Sequence, residues 1–354
     1  MTRPGARRGL LILSTLMLSL FFTRTLPADE KDGRLDIYFI DVEGGAATLL
    51  VTPAGESVLI DSGYPDNGNR DRDRILKVLR DVAGRKDLDH ACVSHWHLDH
   101  FGNHAALANE ITIRNFWDRG IPDRLEEDPS FPARIANYRA ASQNRSKTLK
   151  AGDMLPLKSG ATPLEVKIVT ASGEVIPNDG PANPYASENR TQADDPTDNA
   201  RSVSQLWSFG PFRFLTCGDL TWNVESKLVT PANPVGAVDL FMVTHHGLNV
   251  SNNPVFVQAI DPRVAVTCNG PKKGGNRETQ ETLKKVKSLQ AAFQLHRNLD
   301  LKPEQQTRSE FIANNSDTSD CKGVYIKASV APDGKSYSVQ IGDREKVHTF
   351  ETRQ

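Results

Sequence analysis

Residues 94–104 read Ser94-His95-Trp96-His97-Leu98-Asp99-His100-Phe101-Gly102-Asn103-His104. The run His95-x-His97-x-Asp99-His100 places four metal-ligand side chains within six positions, in a chain with only nine histidines. Imidazole nitrogens and a carboxylate oxygen suit Zn²⁺, and other divalent first-row ions also accept them. Residues 89–94 read as a short buried strand entering this stretch, and residues 101–107 as the first turns of a helix leaving it. A loop between a strand and a helix lets a rigid scaffold aim several side chains at one point.

Working outward, residues 57–63 form a strand that ends in Asp61-Ser62-Gly63. Residues 214–219 form another that ends in Gly218-Asp219, and residues 240–247 a third that ends in His245-His246-Gly247. Taken in order with the His-x-His-x-Asp-His loop, these segments resemble the metallo-β-lactamase superfamily, and the match runs from about residue 35 to about residue 345. The resemblance implies an α/β fold, a four-layer αββα sandwich. It also implies a metal set of His95, His97, Asp99, His100, Asp219 and His246. In that scheme His95 and His97 bind one ion, Asp99, His100 and His246 bind the second, and Asp219 bridges them. Two Zn²⁺ ions are expected, with Mn²⁺ as the alternative. Asp99 and His245 are the expected catalytic residues, His245 serving substrate or proton transfer; the reverse roles for His245 and His246 stay open. Asp61 is expected to lie under the loop and orient it.

One departure concerns the first ion. The superfamily commonly supplies a further histidine between the first cluster and the bridging aspartate, and this chain has none from 105 to 244. Asp198 or Asn199 stands at about the right place to substitute; otherwise the first site is weak or empty. The branch found in the DNA-uptake competence protein's soluble domain and in secreted phosphodiesterases shares this absence. It also shares the early Phe39-Ile40-Asp41-Val42-Glu43-Gly44-Gly45 strand and the paired histidines. Leu248 replaces the serine usual after His-His-Gly there, which weakens a carry-over of its nucleic-acid substrate.

Composition bounds the setting. Arg3, Arg7 and Arg8 precede an apolar run over residues 9–22, and Leu26-Pro27-Ala28 offers a small residue for cleavage. That pattern is a signal peptide over residues 1–28, with an uncleaved anchor as the other reading. The apolar run is short against the ~20 residues of a membrane span. The mature chain, residues 29–354, reads as one domain, periplasmic or secreted, with no further span. It carries 39 basic and 44 acidic residues, so nothing marks a nucleic-acid footprint, apart from a local basic patch around Lys272, Lys273 and Arg277. The oligomeric state is not legible.

Cys92, Cys217 and Cys268 sit in apolar runs as buried thiols, and a disulfide, if formed, is expected between Cys268 and Cys321. His90, His104, His296 and His348 read as ordinary histidines, and Asp41 as a turn residue. Apolar spacing predicts helices over residues 70–83, 253–260 and 279–292. Long polar loops are expected at about 118–148 and 174–200, flanking the metal cleft and setting the substrate.

The functional expectation is an exported hydrolase that uses a metal-bound hydroxide on a phosphoester or other small ester. A non-catalytic metal-binding protein with the same fold and a β-lactam hydrolase are the competing readings.

Overall fold

The computed structural model describes residues 1–2, 32–65, 68–316 and 321–353. The expected signal peptide therefore lies, but for its first two residues, outside the described residues. Among the described residues, no helix is long and apolar enough to cross a membrane.

Strands β1 (Leu35–Phe39), β2 (Thr48–Val51), β3 (Ser57–Ile60), β4 (Leu88–Cys92), β5 (Ile113–Asp118) and β6 (Lys147–Thr148) open a nine-stranded sheet. An eight-stranded sheet follows, from β7 (Leu164–Ala171), β8 (Glu174–Val175), β9 (Ser204–Phe209), β10 (Phe212–Thr216), β11 (Leu240–Met242), β12 (Val264–Thr267), β13 (Ala291–His296) and β14 (Ile312–Asn314). The chain then returns through β15 (Ile326–Val330), β16 (Ser336–Ile341) and β17 (Val347–Glu351) to complete the first sheet beside β1. Among the described residues, seven α-helices punctuate these strands: α1 (Arg70–Lys77), α2 (Leu98–Phe101), α3 (His104–Ala108), α4 (Phe131–Ala141), α5 (Trp222–Val229), α6 (Pro254–Ile260) and α7 (Arg277–Lys284).

The central strands, β2, β3, β11 and β12 among them, are buried on both faces, and that forces a layered architecture. In β1, Ile37 and Phe39 point into the space between the sheets, where they meet Phe214, Met242, Val266 and Phe293. Tyr38, between them, faces the other way and packs with Leu49, Leu59, Ile75, Leu79 and Leu107 under α1 and α3. The second sheet repeats the device: Phe214 faces inward, while Leu215, Phe241 and Ala265 pack outward against Leu228, Phe256 and Leu283 of α5, α6 and α7. The result is the four-layer αββα sandwich of the metallo-β-lactamase fold. Phe39 and Phe214 meet edge to face across the interior at 5.9 Å.

Parallel pairing fixes where a site can form. Strands β3, β4 and β5 are mutually parallel, as are β10 through β14. Their carboxyl ends share one rim, the place where open α/β sheets gather ligand-binding loops. The turns after β3, β4, β10, β11 and β12 deliver Asp61, residues 94–100, Asp219, His245-His246 and residues 269–275 there.

Three expectations need correction. The helix expected over 279–292 ends at Lys284, and residues 291–296 form a strand parallel to β12. The apolar residues Leu283, Val286 and Leu289 do pack on the second sheet, but through a helix end and a turn. The helix expected after the His-rich loop breaks at Gly102-Asn103, because the Asn103 side chain is drawn onto the carbonyls of Ser62 and Tyr64. No Cys268–Cys321 disulfide exists. All four cysteines are free; Cys268 packs into the inter-sheet core, whereas the Cys321 sulfur lies against Asp41.

Candidate metal centre

The turn after β4 is shaped from below. Asp61 takes a left-handed φ of 61° at the end of β3. Its carboxylate accepts the Ser94 N–H at 2.8 Å, the Ser94 hydroxyl at 2.7 Å and the His100 Nδ1–H at 2.8 Å. Gly45 lies underneath, where a Cβ would stand 2.6 Å from the Asp99 carbonyl oxygen, so only glycine allows this approach. On the opposite sheet Gly218 has φ 55°, and a Cβ there would meet the Ser94 side chain at 2.8 Å. These close contacts let the two sheets' rims approach until Asp219 reaches the loop.

Asp99, His100, Asp219 and His246 converge, each offering a ligand atom within 4.8 Å of the others. The centre of the arrangement is Asp219 Oδ2. It stands 3.2 Å from His100 Nε2 and 3.3 Å from both His245 Nε2 and His246 Nε2. Asp99 Oδ2 lies 3.5 Å from His100 Nε2 and 3.3 Å from His246 Nε2. Donors that share one ion at bonds of ~2.1 Å stand roughly 3.0–3.4 Å apart.

The hydrogen-bond network assigns the tautomers. His100 donates Nδ1–H to Asp61, and His246 donates Nδ1–H to the Cys268 carbonyl at 3.0 Å. Ser94 gives its hydroxyl hydrogen to Asp61, so His95 Nδ1–H donates to Ser94 Oγ at 3.0 Å. Ser251 gives its hydrogen to the Leu220 carbonyl, so His245 Nδ1–H donates to Ser251 Oγ at 3.0 Å. All four rings thereby turn an Nε2 lone pair toward the centre. His100 Nε2 and His246 Nε2 face each other at 3.2 Å, and His95 Nε2 is buried with no partner. Lone pairs in that arrangement repel unless a cation or a proton lies between them. The residues fit a metal.

The electrostatics agree. Burial disfavours charge on Asp99 and Asp219, yet His100 holds both carboxyls well below the usual range, with His245 and His246 adding to the effect on Asp219. Burial also opposes a proton on His100, but Asp219, Asp99 and Asp61 overcome it and raise that imidazole well above its ordinary value. Burial pushes His95 well below the imidazole range and His245 down to about 4. The pocket is built to hold positive charge at one point, while burial keeps the His95 and His245 imidazoles neutral.

The remaining expected residues fall differently. His95 faces Asp219 Oδ2 at 3.9 Å, outside the four-residue cluster. His97 is turned outward, its Nε2 3.3 Å from Glu127 Oε1. Asp198, expected as a substitute ligand, is committed elsewhere. It accepts the Trp96 N–H at 2.7 Å and pairs with the buried Arg119 guanidinium. It is a brace that fixes the loop between His95 and His97, and the pairing with Arg119 leaves it no place in the cluster. Asn199 is buried beside it, and its side-chain oxygen has no protein partner.

The sequence marks Lys273 only as part of a local basic patch, not as a residue of the metal centre. It rises from Gly270-Pro271-Lys272-Lys273-Gly274-Gly275 after β12, and its ammonium sits 2.5 Å from Asp99 Oδ2 at the mouth of the centre. The glycines around it were the available signal, since Gly270 packs on the Glu43 carbonyl and Gly274 on that of His246. His296 is not an ordinary histidine either. Its Nε2 lies 2.6 Å from Asp41 Oδ1, and Arg74 holds the other Asp41 oxygen at 3.0 Å. Burial opposes charge on His296, but the Asp41 hydrogen bond and charge outweigh it and push the imidazole up to about 9. The folded value thus exceeds the unfolded ~6.5, so the pair's contribution is complete below about pH 6.5 and fades as pH rises through about 9. Thermal unfolding should show it: His296→Gln is expected to be clearly less stable than wild type at pH 6.5, with the gap closing by pH 9.5.

Residues 40–183 match the Metallo-beta-lactamase superfamily profile. ComE operon protein 3 of Bacillus subtilis (strain 168) is 22% identical over 285 residues, covering 77% of this chain and 32% of that protein. The chain thus spans about a third of the length of this curated relative. A putative metal-dependent hydrolase from Parabacteroides distasonis ATCC 8503 is 15% identical with a TM-score of 0.42, over 77% of this chain and 97% of that one. The metallo-beta-lactamase fold protein YhfI from Bacillus subtilis is 12% identical with a TM-score of 0.44, over 73% of this chain and 96% of that one. The ordered motifs, the two-sheet fold and the converging side chains are similar to those of the metallo-β-lactamase superfamily and, within it, to those of the competence-protein-like branch.

Proposed function

We propose that this protein is a metal-dependent hydrolase of an anionic small-molecule ester, a phosphoester above all, working with two Zn²⁺ or Mn²⁺ ions. The observation that carries the substrate class is Lys273. Its ammonium stands at the rim of a centre whose buried carboxylates already pair with imidazoles. A cation there is placed to meet a substrate's negative oxygen. The side chain is about one-third exposed and passes over the Tyr64 ring at 5.7 Å, which keeps it at the opening.

When bound, the ions would supply an activated water and a Lewis acid for the oxygen on which charge develops. His95, His100 and His246 would hold them through Nε2, with Asp99 and Asp219 as the anionic ligands. His245 keeps its Nδ1–H on Ser251, so its Nε2 beside Asp219 is placed to take or return a proton of the reacting group. Asp61 and Ser94 keep the rings from rotating out of position. We further propose that the protein is exported after cleavage following Ala28; N-terminal sequencing of the mature protein should begin at Asp29.

The decisive assay is hydrolysis of a chromogenic phosphodiester, a phosphomonoester, a neutral carboxylic ester and a β-lactam by metal-loaded protein, with and without chelator. Chelator-sensitive turnover of a phosphoester is expected. Binding of metal without turnover of any of the four would favour the non-catalytic reading instead, which the outward turn of His97 supports. Lys273→Met tests the anion contact. A charge-assisted hydrogen bond is worth ~1.5–3 kcal/mol, so KM for a phosphodiester should rise roughly 10–100-fold, with metal content unchanged and the neutral ester little affected. Equal losses on charged and neutral esters would remove Lys273 from substrate binding.

A further inference from the structure

The first metal site lacks the histidine that the superfamily commonly supplies, and Asp198 is locked onto Arg119 and the Trp96 amide. Another carboxylate stands beside the incomplete site. Glu127 lies in the segment before α4, with Oε1 3.3 Å from His97 Nε2. The same oxygen accepts the Asp198 N–H at 2.7 Å, which fixes the carboxylate's direction. The His97 ring lies 4.7 Å from that of His95, whose buried Nε2 has no partner and faces Asp219.

We propose that Glu127 is the missing terminal ligand, so that the first ion is held by His95, His97, Glu127 and the shared Asp219. This rests on the reading of the rim as a metal centre. The 3.3 Å between His97 Nε2 and Glu127 Oε1 is the separation of two donors on one ion. His97 and Glu127 lie outside the four-residue cluster, so a bound ion would have to draw the partly exposed His97 ring toward His95. The chemistry of the donors then changes as well. Two imidazoles and two carboxylates form a harder site than three imidazoles and one carboxylate, which shifts preference toward Mn²⁺. It also gives the 118–148 loop a defined task, anchoring the cleft wall to the ion.

The test is Mn²⁺ binding by the full mature protein, followed by equilibrium titration and electron paramagnetic resonance. Wild type should bind two equivalents and show the signal of a coupled pair. Glu127→Gln keeps the shape and can still accept the Asp198 N–H, but it loses the anionic donor. It should lose the coupled signal, keep one Mn²⁺ with a mononuclear signal, and weaken the other site by at least ~10–100-fold, the cost of losing merely an orienting partner. His97→Ala should show the same single loss. Glu127→His should regain a second equivalent and favour Zn²⁺ over Mn²⁺. Two equivalents with an unchanged coupled signal in Glu127→Gln overturn the proposal and leave the metal centre standing. Wild type binding only one equivalent also overturns it. Wild type binding none overturns the metal centre itself.

Discussion

Replacing Asp219 by asparagine is expected to give a folded protein that holds at most one metal equivalent and turns over ~10²–10³-fold more slowly, the range seen when one electrostatic stabiliser is removed from an active site. The argument is geometric. A single oxygen, Oδ2, stands 3.2–3.3 Å from His100, His245 and His246, and 3.9 Å from His95. Four imidazole Nε2 atoms face it, so it is the oxygen that would be shared if two cations bind here. Asparagine preserves the shape but carries no charge, and either orientation of its amide fails: the NH₂ end repels cations, and the oxygen alone cannot balance two of them. The fold should survive. The backbone at this position is fixed independently, by Gly218 in its left-handed turn and by the Asp219 N–H donated to Ser202 Oγ at 3.1 Å. Elemental analysis, circular dichroism and rates on one preparation separate the outcomes. Two equivalents and wild-type turnover would show that Asp219 is not the bridge.

How much of this was legible in the sequence depends on whether the cause is local. The strands β1, β3, β4, β10 and β11 announce themselves because two packed sheets demand apolar residues in short continuous runs. The turns after them are equally visible, because Asp61, Gly218 and His246 must adopt backbone conformations or close contacts that few residue types allow. Strand β13 was lost because Leu283, Val286, Leu289 and Ala292 satisfy a helical period by coincidence, and only pairing with β12 decides that residues 291–296 are extended. The contacts that complete the site are non-local. Asp41 and His296 are 255 positions apart, Asp198 and Arg119 79, and Asp99 and Lys273 174. No periodicity encodes such pairs. The same holds for Glu127: a glutamate in a polar loop reads as a solvated charge until the fold brings it to His97. Sequence reading thus locates the residues that need special backbone, and misses those selected by what lies across the cleft.

The paired histidines should separate cleanly. His246→Ala is expected to lose metal, with any remaining activity proportional to what stays bound. His245→Ala is expected to keep its metal and slow by ~10²–10⁴-fold, the usual worth of a positioned proton-transfer group. Both residues sit at φ 54° in successive left-handed conformations, and Gly247 follows at φ 79°. Alanine meets the same backbone strain at either position, so each variant controls for the other's structural cost. The rings nonetheless end in different places. The double left-handed turn carries His246 Nε2 to within 3.3 Å of both Asp99 and Asp219, inside the four-ligand cluster. His245 Nε2 reaches Asp219 alone, and Ser251 anchors its other nitrogen from the far side. On the proposed reading, a ring touching both carboxylates would serve as a ligand, whereas a ring touching only one of them would be free to face substrate. Metal titration and rates on the two variants decide between these roles. Metal loss confined to His245→Ala would mean that the ligand and the proton carrier are reversed.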